Sequence, residues 1–472
     1  MCDHPDAADL RNRRVTIMGL GRFGGGTAVA QFLSRQGARI TITDLRTESE
    51  LKDSLELLQD CAIEAIFGGG HPDAAFRDCE LLIVNPGVRP DDQQVKACQR
   101  RGVTVSSEIE LFLQGNPAFT IAVTGSNGKS TSCQLIHDIL AANSPATQRL
   151  WLGGNIGQSL LPQLSEIRAD DRVILEISSF QLHQLRHARF RPNVAVVTSL
   201  TPNHLDWHPT LDHYVESKQV VSAHQSPADG LVLPDQLQAW PHRSRCLRFG
   251  LHDTGEDGVF YEPGELILRQ GDKEDSLRLS LPPALRGEHN RSNVAAAVAA
   301  CRLTVPGDLR LEAAVKDFTA LPHRMQLVAS GRGRFFVDDS AATTPESLIA
   351  ALKSATRPCV LIAGGQDKGA DLTDAAAEIA QRTRALVAIG PTARKLSDMV
   401  SRARPVGQTP SVVAAADFST AFRRAVELTC PGDMVLLSPG FSSFGWFADF
   451  RDRGHQFSVL AQHWCEQEVS DS

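Results

Sequence analysis

The chain has 472 residues, 42% hydrophobic and 22% charged, with a formal net charge of -7 at pH 7. That is the composition of a globular protein in water, and its mild acidity with interspersed charges argues against a nucleic-acid or anionic-membrane partner. No apolar run approaches the about 20 residues of a membrane span, and the opening "MCDHPDAADLRNRR" lacks a secretory pattern. Ten cysteines lie scattered from Cys2 to Cys465 without a Cys-x-x-Cys pair, so reduced thiols and a cytoplasmic location are expected.

The length suits about three domains. Short apolar runs alternating with helix-like segments predict an α/β fold of parallel sheets covered by helices. "RVTIMG" reads as a strand, "TAVAQFLSRQG" as a helix, "ARITITD" as a second strand ending at Asp44, and "ELLIVNPG" as a third. Between the first strand and helix stands Gly19-x-Gly21-x-x-Gly24, a spacing that lets backbone approach an anion at a helix N-terminus. A nicotinamide dinucleotide, another nucleotide diphosphate and a purely structural turn all satisfy this pattern. The first would make the chain an oxidoreductase using Gly19, Gly21, Gly24 and Asp44.

"QGNPAF" (residues 114–119) reads as a linker. A second cycle follows, with "TIAVTG", "DRVILEISS" and "PNVAVVTSLTPNH" as strands. Gly125-Ser126-Asn127-Gly128-Lys129-Ser130-Thr131 is a shortened phosphate loop, because Val123 stands where the full Walker pattern has glycine. Its backbone N–H groups would wrap phosphates, Lys129 would neutralise the β and γ charges, and the Ser130 hydroxyl would hold magnesium. ATP is the expected ligand. Glu176, in "LEISSFQ", offers the carboxylate oxygen that hard magnesium prefers. His204, near Asp206 in "LTPNHLDWH", reads on its own as a capping or core histidine, and Lys218 on its own as a solvated lysine.

From His252 to Ser280 the sequence turns acidic and glycine-rich, predicting antiparallel hairpins, and "LRGEHNRSNVAAAVAACRL" predicts a capped helix. A third cycle begins near "LPHRM", with strands "RFFVDD", "PCVLIAGG", "ALVAIG" and "DMVLLSPG", each ending in Gly, Asp or Ser, where open sheets bind ligands. The expected domains are residues 1–117, Rossmann-like; 118–321, a P-loop ATPase-type α/β domain; and 322–472, again Rossmann-like.

In this order, "TGSNGKST", "GGNIG", "LEISSFQL", "NHLDWH…YVESK", "GEHNRSN" and "LPHRM" resemble the Mur ligases, cytoplasmic enzymes that build the peptidoglycan stem peptide with ATP. "DDSAATT", "GGQDKGAD" and "LLSPGFSSFGWFADFRDRG" resemble the branch that adds D-glutamate to UDP-N-acetylmuramoyl-L-alanine. The resemblance covers nearly the whole chain. It implies ATP and Mg2+, the UDP-sugar and glutamate as substrates, an acyl-phosphate intermediate, a monomer, and closure of three hinged domains.

Residue by residue, the resemblance implies that Arg22, Phe23, Gly24, Asp44, Leu45, Arg46, Asn85, Pro86 and Gly87 cradle the uridine nucleotide, while Asn155 and Ser178 contact the sugar-peptide portion. Asn290, Asn293, Arg324 and Asp339 match ATP-side positions beside the loop Gly125 to Thr131, with His323 adjacent. Thr343, Lys368, Ser443, Phe444 and Phe450 match positions for the incoming glutamate. Lys129, His204 and Lys218 take the catalytic roles, with magnesium on Ser130, Glu176, His204 and a carbamate of Lys218. A carbamate presents an anionic oxygen where an ammonium would repel the metal, so the site must depress the amine's pKa.

One segment departs from the pattern. Asp339-Ser340-Ala341-Ala342-Thr343-Thr344 carries alanine where the family usually shows lysine, which leaves a relative adding L-glutamate or another amino acid open. The oxidoreductase reading leaves Lys129, Glu176, His204 and Lys218 unexplained.

Overall fold

A computed structural model describes residues 10–21, 24–205, 207–262, 264–285, 287–367, 370–403, 411–443 and 445–466. Three sheets organise them. The first is wholly parallel, in the spatial order Ile63–Gly68, Arg39–Asp44, Arg14–Met18, Leu81–Val84, Thr104–Ser106. Arg14–Met18 and Leu81–Val84 are neighbours in space although the chain visits the other side of the sheet between them. That strand-order reversal opens a crevice at their carboxyl ends.

The second sheet has nine strands. Leu150–Gly154, Arg172–Glu176, Phe119–Thr124, Val194–Val197, Gly230–Pro234, Arg245–Gly250 and Gly258–Glu262 run parallel in that order. Glu265–Gln270 and Lys273–Arg278 extend it as an antiparallel meander, so the expected hairpins exist as an edge of this sheet. The inner strands Val194–Val197 and Gly230–Pro234 are buried at every residue, as befits strands with helices on both faces, whereas Lys273–Arg278 at the edge is exposed throughout.

The third sheet runs Gln326–Gly331, Arg334–Asp338, Met434–Leu437, Cys359–Gly364, Thr383–Ile389, Ser411–Ala414, antiparallel only at the first pair. Apolar clusters cover both of its faces, one around Leu361 and Leu436, the other around Phe336 and Val435.

The residues pack as two compact units. One holds residues 1–200, 211–278 and 293–314, and the other 201–210, 279–292 and 315–472. The first unit contains both of the first two sheets. Its core passes between them through Ile109, Leu111 and Phe112 of helix Glu108–Gly115, which share one cluster with Leu160, Leu161 and Ile167. Among the described residues no helix is long and apolar enough to cross a membrane.

Candidate active site

In the first sheet, Gly24 (φ +86°) caps helix Gly25–Arg35 from a left-handed conformation that side chains disfavour. A Cβ on Gly19 would stand 2.8 Å from Asn85 Cβ across the crevice. Asp44, buried, accepts hydrogen bonds from Gly21 N (3.0 Å) and Arg46 N (2.8 Å), so its carboxylate ties the glycine turn to the turn bearing Leu45 and Arg46. Asn85 Oδ1 accepts from Gly87 N at 3.0 Å and shapes the Asn85-Pro86-Gly87 corner. Arg22 and Phe23 lie outside the described residues.

The second glycine loop follows strand Phe119–Thr124 and opens helix Lys129–Asn143. Close packing leaves two of its glycines little room for a side chain. A Cβ on Gly125 (φ +149°) would meet Thr198 Oγ1 at 2.0 Å, and one on Gly128 (φ +83°) would meet Asn293 Oδ1 at 2.3 Å. The loop rests on the next strand's end: Ser126 N donates to Ser199 O (2.9 Å), Asn127 N to Ser199 Oγ (2.9 Å), and Thr198 Oγ1 to Asn127 O (2.5 Å). Thr131 lies in the first turn of the helix.

Around this loop the predicted residues converge. Glu176, 2% exposed, accepts from Ser130 Oγ on one oxygen (2.6 Å) and from Asn155 Nδ2 on the other (2.8 Å). Lys129 Nζ donates to Gly125 O (3.0 Å) and Ser126 O (3.1 Å). Lys218 Nζ donates to the same Gly125 O at 2.9 Å.

Lys218 is therefore no solvated lysine. It is 1% exposed, and its amine stands 4.8 Å from the ring centre of Tyr214, whose hydroxyl lies 2.8 Å from Ser126 Oγ. Burial, reinforced by the charge of Lys129 and opposed by Glu176, pushes its pKa well below the ordinary lysine value. Tyr214 was not singled out from the sequence, although its spacing of four from Lys218 puts the two on one helix face. Ser178 caps helix Ser179–Gln184 in a reciprocal pair with Gln181.

The remaining predicted residues belong to the second unit, except Asn293. His204 adopts a left-handed backbone (φ +55°), with its own N–H bonded to Asn203 Oδ1 and its carbonyl accepting from Trp207 and His208; Asp206 lies outside the described residues. Asn290 Nδ2 donates to Ala284 O at 3.2 Å. Asp339 is buried, accepting from Ser438 Oγ (2.7 Å) and Met325 N (3.1 Å), and desolvation raises its pKa to about 7, with Arg324 and these hydrogen bonds acting the other way.

His323, beside Arg324, places Nδ1 2.7 Å from Asp338 Oδ2. Gly454 gives that pair its room, since a Cβ there would meet His323 Nδ1 at 2.2 Å. In the sequence the only signal of this glycine is its place inside a helix. Gly440 N donates to Ala342 O (2.9 Å), bringing the loop that carries Ser443 against the segment that carries Thr343, and Ser340 Oγ donates to Phe450 O (2.7 Å). Lys368 and Phe444 lie outside the described residues.

A short glycine loop between strand and helix, a lysine on it, and a buried Ser–Glu pair behind it define an α/β nucleotide-binding protein of the phosphate-loop class. Three family models match the chain: the Mur ligase MurD-like N-terminal domain over residues 13–107, the Mur ligase middle domain over 123–301, and the Mur ligase glutamate ligase domain over 323–441. The chain is 36% identical over 456 residues to UDP-N-acetylmuramoylalanine–D-glutamate ligase from Symbiobacterium thermophilum, covering 95% of this chain and 98% of that one. The ligase of the same name from Roseiflexus sp. is 36% identical over 475 residues, covering 96% and 99%. Among solved structures, UDP-N-acetylmuramate–alanine ligase from Thermotoga maritima superposes with a TM-score of 0.60 at 18% identity, over 97% of this chain and all of that one (100%). The MurF ligase from the same organism, in complex with ADP, gives 0.58 at 16% identity, over 98% and 99%. These share the fold. The chain belongs to the Mur ligase family.

Proposed function

We propose that the chain is an ATP-dependent ligase that joins D-glutamate to UDP-N-acetylmuramoyl-L-alanine, a step in making the peptidoglycan precursor. The observation that carries this reading is the convergence of Lys129 and the buried Lys218 on one carbonyl, Gly125 O, beside the Ser130–Glu176 pair. Two ammonium groups on one oxygen repel, so the desolvated one favours its neutral form, the form that adds CO2. Addition gives a carbamate and releases one proton, converting a repelled cation into an oxygen ligand.

The chemistry proceeds in two steps. An oxygen of the alanyl carboxylate attacks the γ-phosphorus, and ADP leaves with the electrons of the broken P–O bond. The amine of glutamate then attacks the acyl carbonyl and loses a proton, and the tetrahedral adduct expels phosphate to leave the amide. Charge sits on phosphoryl oxygens in both steps, so the loop N–H groups and Lys129 stabilise it from fixed positions.

The donor set suits magnesium. Ser130 Oγ and a buried Glu176 carboxylate are hard oxygen ligands, and the bound ion would neutralise phosphate charge. In this reading His204 and the Lys218 carbamate serve a second ion. Asn290, Asn293, Arg324 and Asp339 attend the nucleotide. Arg22 to Gly24, Asp44 to Arg46 and Asn85 to Gly87 take the uridine diphosphate, with Asn155 and Ser178 on the sugar-peptide part. That Asp44 already serves two backbone N–H groups supports an anion-cradling turn over a ribose-reading one.

Thr343, Lys368, Ser443, Phe444 and Phe450 receive glutamate. Boundaries near residues 117 and 321, a monomeric state and a cytoplasmic location complete the reading, the boundaries being supported by the gaps between the three matched ranges.

Phosphate release with ATP, magnesium and the UDP-sugar tests it. D-glutamate-dependent release is expected. Release with L-glutamate alone would overturn the stereochemistry, and release with neither would overturn the substrate assignment.

A further inference from the structure

His323 stands in the turn before strand Gln326–Gly331 with its backbone at φ +62°. Residues with side chains adopt that left-handed conformation rarely, and those that do cluster at functional sites. Its Nδ1 lies 2.7 Å from Asp338 Oδ2, with the imidazole 19% exposed and the carboxylate wholly buried. The other oxygen of Asp338 accepts from Ser340 N at 2.9 Å. Both oxygens of Asp339 are engaged as well, by Met325 N and Ser438 Oγ. With the proton of the His323–Asp338 bond on Nδ1, Nε2 keeps a lone pair that accepts no hydrogen bond among the described residues.

The surroundings fix this pair. A Cβ on Gly454 would stand 2.2 Å from His323 Nδ1 and 2.6 Å from Asp338 Oδ2, so a glycine inside helix Phe450–Glu466 clears the space for both. Phe450 meets the imidazole edge to face, with ring centres 6.1 Å apart. Ala341 N donates to His323 O at 3.0 Å. Arg453, fully buried, donates to Ser340 Oγ (2.9 Å), Ser340 O (2.9 Å) and Phe441 O (3.2 Å) and pins the segment that follows Asp338. The imidazole is thus held between Phe450 and the segment that carries Thr343, two of the residues assigned above to glutamate.

An amino acid arrives as an ammonium, which has no lone pair with which to attack. We propose that His323 is the general base that removes this proton, with Asp338 as its positioning residue. This rests on the ligase reading above. One N–H bond of the ammonium breaks, its electron pair stays on nitrogen, and the proton bonds to Nε2. The freed pair attacks the acyl carbonyl, the proton that the nitrogen sheds after attack leaves with the phosphate, and the imidazolium passes its own proton to water. Asp338 holds the ring in the tautomer that exposes Nε2 and stabilises the imidazolium once formed.

Hydroxylamine separates this step from the one before it. Uncharged at neutral pH, it attacks an acyl phosphate without a base and gives a hydroxamate in place of the glutamyl amide. With ATP, magnesium and UDP-N-acetylmuramoyl-L-alanine, His323→Gln is expected to join D-glutamate about 100-fold more slowly than the wild type, or worse, as loss of a general base requires. It is expected to form hydroxamate at close to the wild-type rate, with KM for ATP unchanged. Asp338→Asn keeps the shape of the pair and is expected to slow D-glutamate addition about tenfold and to spare hydroxamate formation; it serves if the His323 variant does not fold. Imidazole added to His323→Ala is expected to restore D-glutamate addition in part and to leave the hydroxylamine reaction unmoved.

Equal loss in both reactions by a variant that melts like the wild type would overturn the proposal, as would a raised KM for ATP that accounts for the loss, or D-glutamate addition by His323→Gln at close to the wild-type rate. A wild type that forms neither hydroxamate nor glutamyl product would overturn the ligase reading itself, and the proposal with it.

Discussion

Replacing Gly128 by alanine isolates the phosphate loop. The new methyl would stand 2.3 Å from Asn293 Oδ1, and the backbone there has φ +83°. A left-handed conformation costs an L-residue about 1–2 kcal/mol, and pushing Asn293 aside forfeits about 1 kcal/mol of polar contact. The free loop can relieve both by changing shape, and ATP must then restore the cradle. Affinity for ATP is expected to fall by about 2–3 kcal/mol, or about 30- to 150-fold, measured by calorimetric titration with a non-hydrolysable analogue.

Gly102→Ala is the control. Its φ is +77° with nothing within 4 Å of the added methyl, so it is expected to lose about 1 kcal/mol of stability and no ATP affinity. Binding by Gly128→Ala within threefold of wild type would refute the reasoning.

Gly454→Ala sets helix propensity against packing: the helix gains about 1 kcal/mol, while a methyl 2.2 Å from His323 Nδ1 and 2.6 Å from Asp338 Oδ2 costs about 1–3 kcal/mol, and a lower melting temperature is expected. Lys218→Met is expected to melt higher than wild type in CO2-free buffer. The folded pKa of Lys218 is depressed, so below it the wild type holds a buried charge; between it and the ordinary lysine value only the unfolded chain binds the proton, wild-type stability rises with pH, and the variant's advantage shrinks. An advantage independent of pH from neutral to about 10 would contradict the burial argument. Ser130→Ala removes the hydroxyl shared with Glu176 and is expected to raise the magnesium concentration for half-maximal turnover at least tenfold, in line with the roughly 1.5–3 kcal/mol of a charge-assisted contact.

The strands legible in the sequence were those with the highest apolar density. "VILE", "VAVV", "CVLIAG" and "MVLL" are buried on both faces and stand out by composition. Ile63–Gly68 alternates half-buried and exposed residues at a sheet edge, Ser411–Ala414 has only four residues, and Gln326–Gly331 carries polar residues on a half-exposed edge. Nothing in their composition separates them from loop. The glycine loop was legible because its chemistry is local.

Lys218 was not legible by itself, because its burial depends on Tyr214 and on Gly125, 93 residues away. Arg453 was hidden for the same reason: one of two arginines in "FADFRDRG", it reads as surface until Ser340 and Phe441 close over it. The grouping of the first two sheets in one compact unit also follows from long-range packing, through the helix Glu108–Gly115, and not from any local signal.

Oxygen transfer from the alanyl carboxylate to phosphate tests ATP-driven ligation most directly. With UDP-N-acetylmuramoyl-L-alanine labelled with 18O in that carboxylate, ATP, magnesium and D-glutamate, each phosphate released is expected to carry one labelled oxygen, and the UDP-sugar to gain the mass of one glutamate less that of 18O-labelled water. Unlabelled phosphate, or labelled phosphate without the glutamyl product, would contradict it.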